Sequence, residues 1–302
     1  MKKYSVILLL VLVFNCKNET PTNGKLNIVT TTTMITDLVK NIGGDEVNVK
    51  GLMGSGVDPH LYKASEGDVT KLVDADIVFY NGLHLEGKLV EVFEKMEKLN
   101  KMTVALGEEL DKNTLIGSDY FASNYDPHVW FNINYFKQFA RKVTTVLSEQ
   151  SPENSDVFEA NEKTYIDKLD NLQDKIEDVI QTLPKDKRIL VTAHDAFNYF
   201  GKAYGFEVVG LQGLSTATEA GVQDVQNLSA FIIENKIKAI FVESSVPKRT
   251  IEALQAAVKS KGHDVVIGGT LYSDALGSSG TVEGTYIGMF EYNVNTIVNA
   301  LK

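Results

Sequence analysis

The chain has 302 residues, 43% hydrophobic and 23% charged, which is ordinary for a globular protein with room for two hydrophobic cores. Its formal net charge of −10 argues against a nucleic-acid partner, because neutralising phosphates requires clustered Lys and Arg. The single cysteine excludes an intrachain disulfide and a zinc site built from several cysteines.

The N-terminal segment is predicted to be a leader and a tether. Two lysines precede an apolar run at residues 6–14, which is too short to cross a bilayer but has the length of the apolar core of a signal peptide. Cys16 follows that run and polar residues come next, a pattern that resembles a lipoprotein signal with an acylated thiol. We expect a lipoprotein signal peptide at 1–16, lipidation at Cys16 and a tether at 17–24. The alternative is a plain secretory peptide with an incidental cysteine.

Strand and helix patterns alternate through the first half of the chain. Short β-branched, apolar runs predict strands, and apolar residues at spacings of three and four predict helices. The predicted strands are 26–32, 47–52, 76–80 and 102–106, and the predicted helices are 34–42, 66–73, 88–99 and 135–147. This alternation predicts a parallel sheet with right-handed crossovers.

A long amphipathic helix is predicted at residues 151–184. Ser151 is expected to cap its first turn, Pro152 to take the first helical position and Pro184 to end it. Between the two prolines, a rod of about 45 Å at 1.5 Å per residue is longer than one small domain. The apolar residues fall on one stripe of the helix: Phe158, Tyr165, Leu169, Leu172, Ile176, Val179 and Leu183. We interpret the helix as a link between two lobes.

The same alternation starts again after this helix. The predicted strands are 188–192, 206–211, 239–243 and 265–267, and the predicted helices are 197–204, 222–235, 248–261 and 285–301. The predicted fold is therefore α/β, with two lobes joined by one long helix, and each lobe is a parallel four-stranded sheet flanked by helices. We place the N-terminal lobe at 25–150, the linking helix at 151–184 and the C-terminal lobe at 185–302.

Two histidines, His60 and His128, lie in the same local setting, Asp-Pro-His. Proline fixes its own φ and lacks a backbone donor, so an imidazole directly after it is held on a stiff, non-helical backbone. Rigid presentation of this kind suits a metal ligand. Either histidine alone would more often be a turn residue in solvent.

The second half offers two further candidate ligands. His194 lies at the carboxyl end of a predicted strand and before a helix, where open α/β sheets bind their ligands. Its neighbour Asp195 is expected to serve either the helix N-terminus or the metal. Asp274 follows the last predicted strand, in a loop where a lone Asp is usually a turn residue. His84 follows Asn81-Gly82 at a loop, and His263 follows Gly262 in a Gly-His-Asp turn typical of solvent exposure.

Together these four candidate residues, two from each half, give three nitrogens and one carboxylate around a divalent ion in an inter-lobe cleft. Such a shell suits Zn²⁺ at about 2.0–2.2 Å, whereas Mn²⁺ and Mg²⁺ prefer more oxygen ligands. This preference of the ligands for zinc does not make the protein specific for zinc, since the affinity order favours zinc over manganese at almost any site of this type.

Seven segments resemble the zinc and manganese solute-binding proteins of ABC transporters, the TroA/ZnuA-like family. They are TTTMITDLV from Thr31, VDPHLY from Val57, YNGLHLE from Tyr80, DPHVW from Asp126, TAHDAF from Thr192, FVESS from Phe241 and TYIGM from Thr285. The resemblance implies two four-stranded α/β lobes, one long linking helix, one metal in the cleft and delivery of that metal to a membrane permease. By position, it puts the metal ligands on His60, His128, His194 and Asp274, and none on His84.

The resemblance also bears on the metal. Manganese receptors of this family tend to carry Glu at the third ligand position and zinc-type members carry His, as at His194 here. The chain lacks the His-rich loop of many zinc-specific receptors, so we expect the branch that accepts zinc, manganese or iron. Glu243 matches an acidic family position near the cleft and is expected to orient a ligand imidazole, with a buried structural role as the alternative.

The sequence thus predicts an exported, membrane-anchored, monomeric lipoprotein that captures a divalent metal for a permease and is not an enzyme. A closed shell of four protein ligands leaves no position for an activated water. One alternative is an exported metallohydrolase with the same ligands, although the His-Glu-x-x-His and Gly-x-Ser-x-Gly motifs are missing. Another is a surface adhesin in which the metal site is incidental.

Overall fold

A computed structural model describes residues 24–119 and 121–302. The predicted signal peptide, the lipidation site Cys16 and the predicted tether up to residue 23 lie outside the described residues. Among the helices that are described, none has the length and apolar character needed to cross a bilayer.

The first lobe is a parallel four-stranded sheet flanked by helices, as predicted. Its strands are β1 (Leu26–Thr30), β2 (Val47–Gly51), β3 (Ile77–Tyr80) and β4 (Met102–Ala105). Its helices are α1 (Thr33–Gly43), α2 (Glu66–Asp74), α3 (Val90–Lys98) and α4 (Ile133–Gln150). The strands lie in the order β2-β1-β3-β4, with every neighbouring pair parallel. Because all four strands run parallel, their carboxyl ends lie at one edge of the lobe.

Local side chains fix where the first helices begin and end. The hydroxyl of Thr32 accepts from the N–H of Ile35 and so caps α1, and Gly44 ends the helix with a φ of 55° that suits glycine. At α2, Ser65 and Asp68 form a reciprocal capping box. These caps set the direction in which each loop leaves the edge of the sheet.

The linking helix, α5 (Ser155–Gln181), has 27 residues and is therefore about 40 Å long. A short 3₁₀ turn, Pro152–Asn154, comes before it. The predicted cap at Ser151 is wrong, because its hydroxyl donates to the carboxylate of Glu153 at 2.8 Å instead of accepting from a helix N–H. The buried stripe keeps the predicted spacing, except that Ile180 is buried where Val179 was expected.

The second lobe repeats the first with a difference in its sheet. Its strands are β5 (Ile189–His194), β6 (Glu207–Gln212), β7 (Ala239–Glu243) and β8 (Val266–Leu271). Its helices are α6 (Asn198–Tyr204), α7 (Val222–Glu234), α8 (Arg249–Ser260) and α9 (Tyr286–Leu301). The parallel ladders join β5 to β6 and β7 to β8, and β5 lies beside β7.

The four predicted strands of this lobe are thus side by side, but within the described residues their backbone ladders form two pairs instead of one continuous sheet. At one end of these strands, a side chain makes the contact between them. The backbone N–H of His194, the last residue of β5, donates to the carboxylate of Glu243, the last residue of β7, at 2.9 Å.

The linking helix packs against both lobes. It contacts α1 and α4 on the side of the first lobe and α9 on the side of the second. The ring of Phe136 in α4 stacks on that of Tyr286 in α9, with centroids 3.7 Å apart. One hydrophobic core runs through these helices, so the two lobes share packed surface instead of meeting only at a flexible joint.

Candidate metal centre

The four candidate ligands come from four loops and strand ends that meet between the lobes. His60 lies in the loop after β2, and His128 directly precedes a 3₁₀ turn that leads into α4. His194 ends β5, and Asp274 follows β8. Each of the four side chains is at most 4% exposed. A ligand held by these groups would be shielded from bulk water.

The distances between these groups define a single small site. One potential donor atom from each of the four residues lies within 4.8 Å of all the others. The Nε2 atoms of His60 and His128 are 3.3 Å apart. The carboxylate oxygens of Asp274 lie 3.2 Å from Nε2 of His194, 3.6 Å from Nε2 of His128 and 3.9 Å from Nε2 of His60.

These spacings fit a cation at the centre. Two ligand atoms at about 2.0–2.1 Å from a tetrahedral ion are about 3.3 Å apart. Both oxygens of Asp274 are buried, and within the described part of the chain they have no well-aligned hydrogen-bond donor. A buried carboxylate without a donor is unfavourable unless a positive charge compensates it, and a divalent ion at this point would supply that charge.

The two histidines of the first lobe are fixed by the aspartates of their own motifs. Oδ1 of Asp58 accepts from the N–H of His60 at 2.8 Å, and Oδ1 of Asp126 accepts from the N–H of His128 at 2.9 Å. Asp126 also contacts Nδ1 of His128 at 2.8 Å, which leaves Nε2 to face the site. From the sequence, this rigidity was predicted to come from the proline. The missed signal is an acceptor two residues before each histidine, which is the spacing of an Asx turn.

In the second lobe, His194 is held by a carboxylate from the neighbouring strand. Oε2 of Glu243 lies 2.6 Å from Nδ1 of His194, and Oε1 accepts from the N–H of the same residue. Glu243 therefore makes the predicted contact with a candidate ligand, and it also joins β7 to β5. Glu243 therefore has both of the roles considered for it, because it orients an imidazole and is also a buried structural residue.

Three other candidate residues lie outside the cluster. Oδ1 of Asp195 accepts from the N–H of Gly210 in β6 at 2.6 Å, so neither the predicted helix cap nor a metal contact is formed. His84 is exposed and lies apart from the four clustered residues. His263 is half-buried against the backbone carbonyl of Ile237 at 3.0 Å, so the expected exposure is wrong. Its glycine-containing turn gave no sign of this long-range contact.

Electrostatics divides the site into neutral and charged groups. Burial lowers the pKa of His60 to about 3. Burial acts in the same direction on His194, but the charges of Glu243 and Asp274 outweigh it and raise the pKa of His194 well above its usual value. For Asp274, burial opposes ionisation, yet the His194 and His128 imidazoles hold its pKa well below its usual range. These pKa directions favour an ion pair between His194 and the ionised Asp274, with His60 neutral.

Residues 28–300 match the sequence profile of the family described as "Zinc-uptake complex component A periplasmic". The chain belongs to this family. The family was expected from the seven sequence segments, and the match confirms that expectation over nearly all of the described chain.

Individual relatives of this zinc-uptake family member are similar over most of their length. The manganese-binding lipoprotein MntA of Bacillus subtilis is 49% identical, with 92% of this chain and 90% of MntA covered. The zinc-binding protein TroA of Treponema pallidum is 48% identical, again with 92% and 90% covered. The solved structure of TroA superimposes with a TM-score of 0.89 and covers 92% of this chain and 99% of that one. One relative is named for manganese and the other for zinc, at nearly equal identity.

Proposed function

We propose that this protein captures one divalent transition-metal ion in the cleft and delivers it to the permease of an ABC transporter. Zinc is the leading candidate, and manganese or iron are the alternatives. The observation that carries the proposal is the meeting of three imidazole Nε2 atoms and one carboxylate at a single buried point between the lobes. The profile match to a zinc-uptake component supports the transport role.

In this proposal His60, His128, His194 and Asp274 are the metal ligands. Three neutral imidazoles and one carboxylate fill a tetrahedral shell, so no position remains for a water that the metal would activate. The metal is therefore cargo and the protein is not an enzyme. This disfavours the metallohydrolase considered above.

Release must reverse the steps of capture. Ligation requires neutral imidazole, so a proton returning to His194 would compete with the metal. The permease would also have to separate the two lobes, because the ligands are buried. Since α5 and the shared core tie the lobes together, we expect small rotations in place of wide opening.

The protein would act outside the cytoplasm, on a lipid anchor. Several relatives are named as lipoproteins, among them MntA and the PsaA protein of Streptococcus pneumoniae, which is 32% identical. We assign signal peptide and lipidation to 1–16 and Cys16, and a monomeric mature protein with lobes at 25–150 and 185–302 joined by the helix region 151–184. It would face the periplasm or the cell exterior.

Isothermal titration of the metal-free mature protein tests the binding step. We expect one zinc per chain, and a strong loss of affinity in His194→Ala. His263→Ala removes a histidine outside the cluster and is the matched control, with unchanged affinity expected. Equal affinity in the wild type and His194→Ala would refute the site.

Uptake tests the transport step and separates it from adhesion. A strain that lacks this protein should take up less metal under chelation, and the wild-type gene should restore uptake whereas the His194→Ala gene should not. Normal uptake in the deletion strain would contradict transport and leave adhesion as the better reading.

A further inference from the structure

The carboxylate of Asp58 reaches across the cleft. One oxygen, Oδ1, accepts from the N–H of His60 in the first lobe. The other, Oδ2, accepts from the hydroxyl of Thr216 at 2.5 Å. Thr216 is buried in the segment between β6 and α7 of the second lobe, 158 residues further along the chain. A single side chain therefore holds the backbone of a candidate ligand and contacts the opposite lobe.

The carboxylate of Asp126 makes the same pair of contacts in the other Asp-Pro-His motif. Its Oδ1 accepts from the N–H of His128, and its Oδ2 accepts from the side-chain amide of Asn198 at 3.0 Å. Asn198 is the first residue of α6 in the second lobe. The hydroxyl of Tyr199, next in the chain, donates to the backbone carbonyl of Asp126 at 3.0 Å. The pattern at Asp58 is thus repeated on the other first-lobe histidine.

We propose that Asp58 and Asp126 are paired latches that hold the cleft closed around the metal. The Thr216 latch is the contact of Asp58 with Thr216, and the Asn198 latch is the contact of Asp126 with Asn198. When the cleft opens, Oδ1 of each aspartate keeps its hydrogen bond from the histidine N–H. Oδ2 of each aspartate loses its donor in the second lobe. Lobe closure and placement of the first-lobe ligands are therefore coupled through the same two side chains.

The latches act on release more than on capture. Because the ligands are buried, the metal leaves only when the lobes separate, and separation breaks both latch hydrogen bonds. These bonds form after the metal has met the first ligands, so they lengthen the closed lifetime without raising the encounter rate. One hydrogen bond of ordinary net strength corresponds to about a threefold to tenfold change in rate.

The test removes the second-lobe partner of each latch and leaves the metal ligands and the aspartates in place. Thr216→Val deletes the hydroxyl at almost constant volume, and Asn198→Leu deletes the amide. Thr218→Val, an exposed threonine two positions along the same segment, is the matched control. Co²⁺ is the probe, because its visible absorption reports the ligand shell. Stopped-flow mixing with metal gives the association rate, and mixing the loaded protein with excess chelator gives the dissociation rate.

We expect each latch variant to release Co²⁺ about threefold to tenfold faster than the wild type, and the double variant to multiply the two effects. The association rate, the absorption spectrum and the rates of Thr218→Val should stay at wild-type values. Unchanged dissociation in both latch variants, or a changed spectrum, would overturn the latches. The inference rests on the proposed function, and the two fail differently: a wild type that does not bind Co²⁺ refutes the metal site itself.

Discussion

The two lobes hold their candidate ligands in different ways. In the first lobe, each histidine is fixed by an aspartate two residues earlier in the same motif. In the second lobe, His194 is fixed by Glu243, which is 49 residues away on another strand. The first arrangement is local and forms with the loop itself. The second exists only once β5 and β7 lie side by side.

Asp274 depends on still more distant groups, and they belong to the other lobe. The indole N–H of Trp130 donates to the carbonyl of Ser273 at 3.0 Å. Two positions after Asp274, the N–H of Leu276 donates to Thr33, and its carbonyl accepts from Ser55. The candidate ligands of the first lobe are thus held by contacts within their own motifs, whereas the loop of Asp274 is held by contacts with the other lobe.

Removing the carboxylate should have the largest effect, because it breaks the group that closes the site. We expect Asp274→Asn to weaken zinc binding by more than about 100-fold, since replacing a neighbour of a ligand already weakens binding by about 10–100-fold. Titration against a chromogenic chelator gives the affinity. Asp264→Asn, an exposed aspartate, is the control. A loss below tenfold would show that Asp274 is not a ligand.

Glu243→Gln tests the remote support of the second lobe. The amide keeps the shape but removes the charge next to Nδ1 of His194, so we expect zinc affinity to fall by about 10–100-fold. Without that charge, the pKa of His194 should also move down from its raised value. Competition titration and NMR of the imidazole measure the two effects. Glu234→Gln, at an exposed position, is the control. Wild-type affinity in Glu243→Gln would contradict the dependence of His194 on a carboxylate from another strand.

The pH dependence of metal affinity tests whether His194 carries a proton before the metal binds. The pKa of His194 is raised, so metal must displace its proton at neutral pH, and we expect affinity to rise by about tenfold per pH unit up to that pKa. His60, with its pKa lowered to about 3, should add no such slope near neutrality. Calorimetry in buffers of different ionisation enthalpy counts the protons. Release of no proton would contradict the ion pair.

The same pKa shift has a consequence for the metal-free protein. Because the folded pKa of His194 lies above its unfolded value, its contribution to stability is fully present below the unfolded pKa of about 6.5 and is lost as pH rises through the folded pKa. As pH rises through the folded pKa, His194 loses its proton. The folded protein then loses this stabilisation, and the metal no longer has a proton to displace.

The smallest effect is expected where the support is local. Asp58→Asn retains an oxygen that accepts from the N–H of His60, and the hydroxyl of Thr216 can reverse its role and accept from the new amide. We expect zinc affinity within about threefold of the wild type in the same competition titration. Asp58→Ala, which removes both contacts, should bind more weakly than Asp58→Asn. Equal affinities for the two variants would mean that this support contributes nothing.

The features that the sequence predicts are those that depend on local contacts, and the features that it misses depend on long-range contacts. The elements and their order were predicted from periodicity, because amphipathic patterns depend on nearby residues. The two Asp-Pro-His motifs were recognisable for the same reason. The absence of a backbone ladder between β5 and β7 was not predicted, since strand pairing depends on residues that are far apart in the chain. The contact of His263 with the carbonyl of Ile237, 26 positions away, was missed for the same reason.

Asp274 shows the limit of predicting a site from spacing along the chain. Alone, an aspartate in a loop after a strand is usually a turn residue, and the resemblance to the family strengthened its weak candidacy as a ligand. Its place is fixed by Trp130, 143 residues before the carbonyl that the indole contacts. Asp195, which has the more suggestive position beside His194, instead bonds to the backbone of β6. Spacing along the chain does not distinguish these two outcomes.

Anomalous diffraction at the zinc absorption edge, from crystals of the zinc-loaded protein, tests the shared site most directly. We expect one strong peak per chain, within about 2.0–2.2 Å of Nε2 of His60, His128 and His194 and of a carboxylate oxygen of Asp274. A peak bonded to residues of one lobe only, or located elsewhere on the chain, would contradict a metal site that both lobes complete.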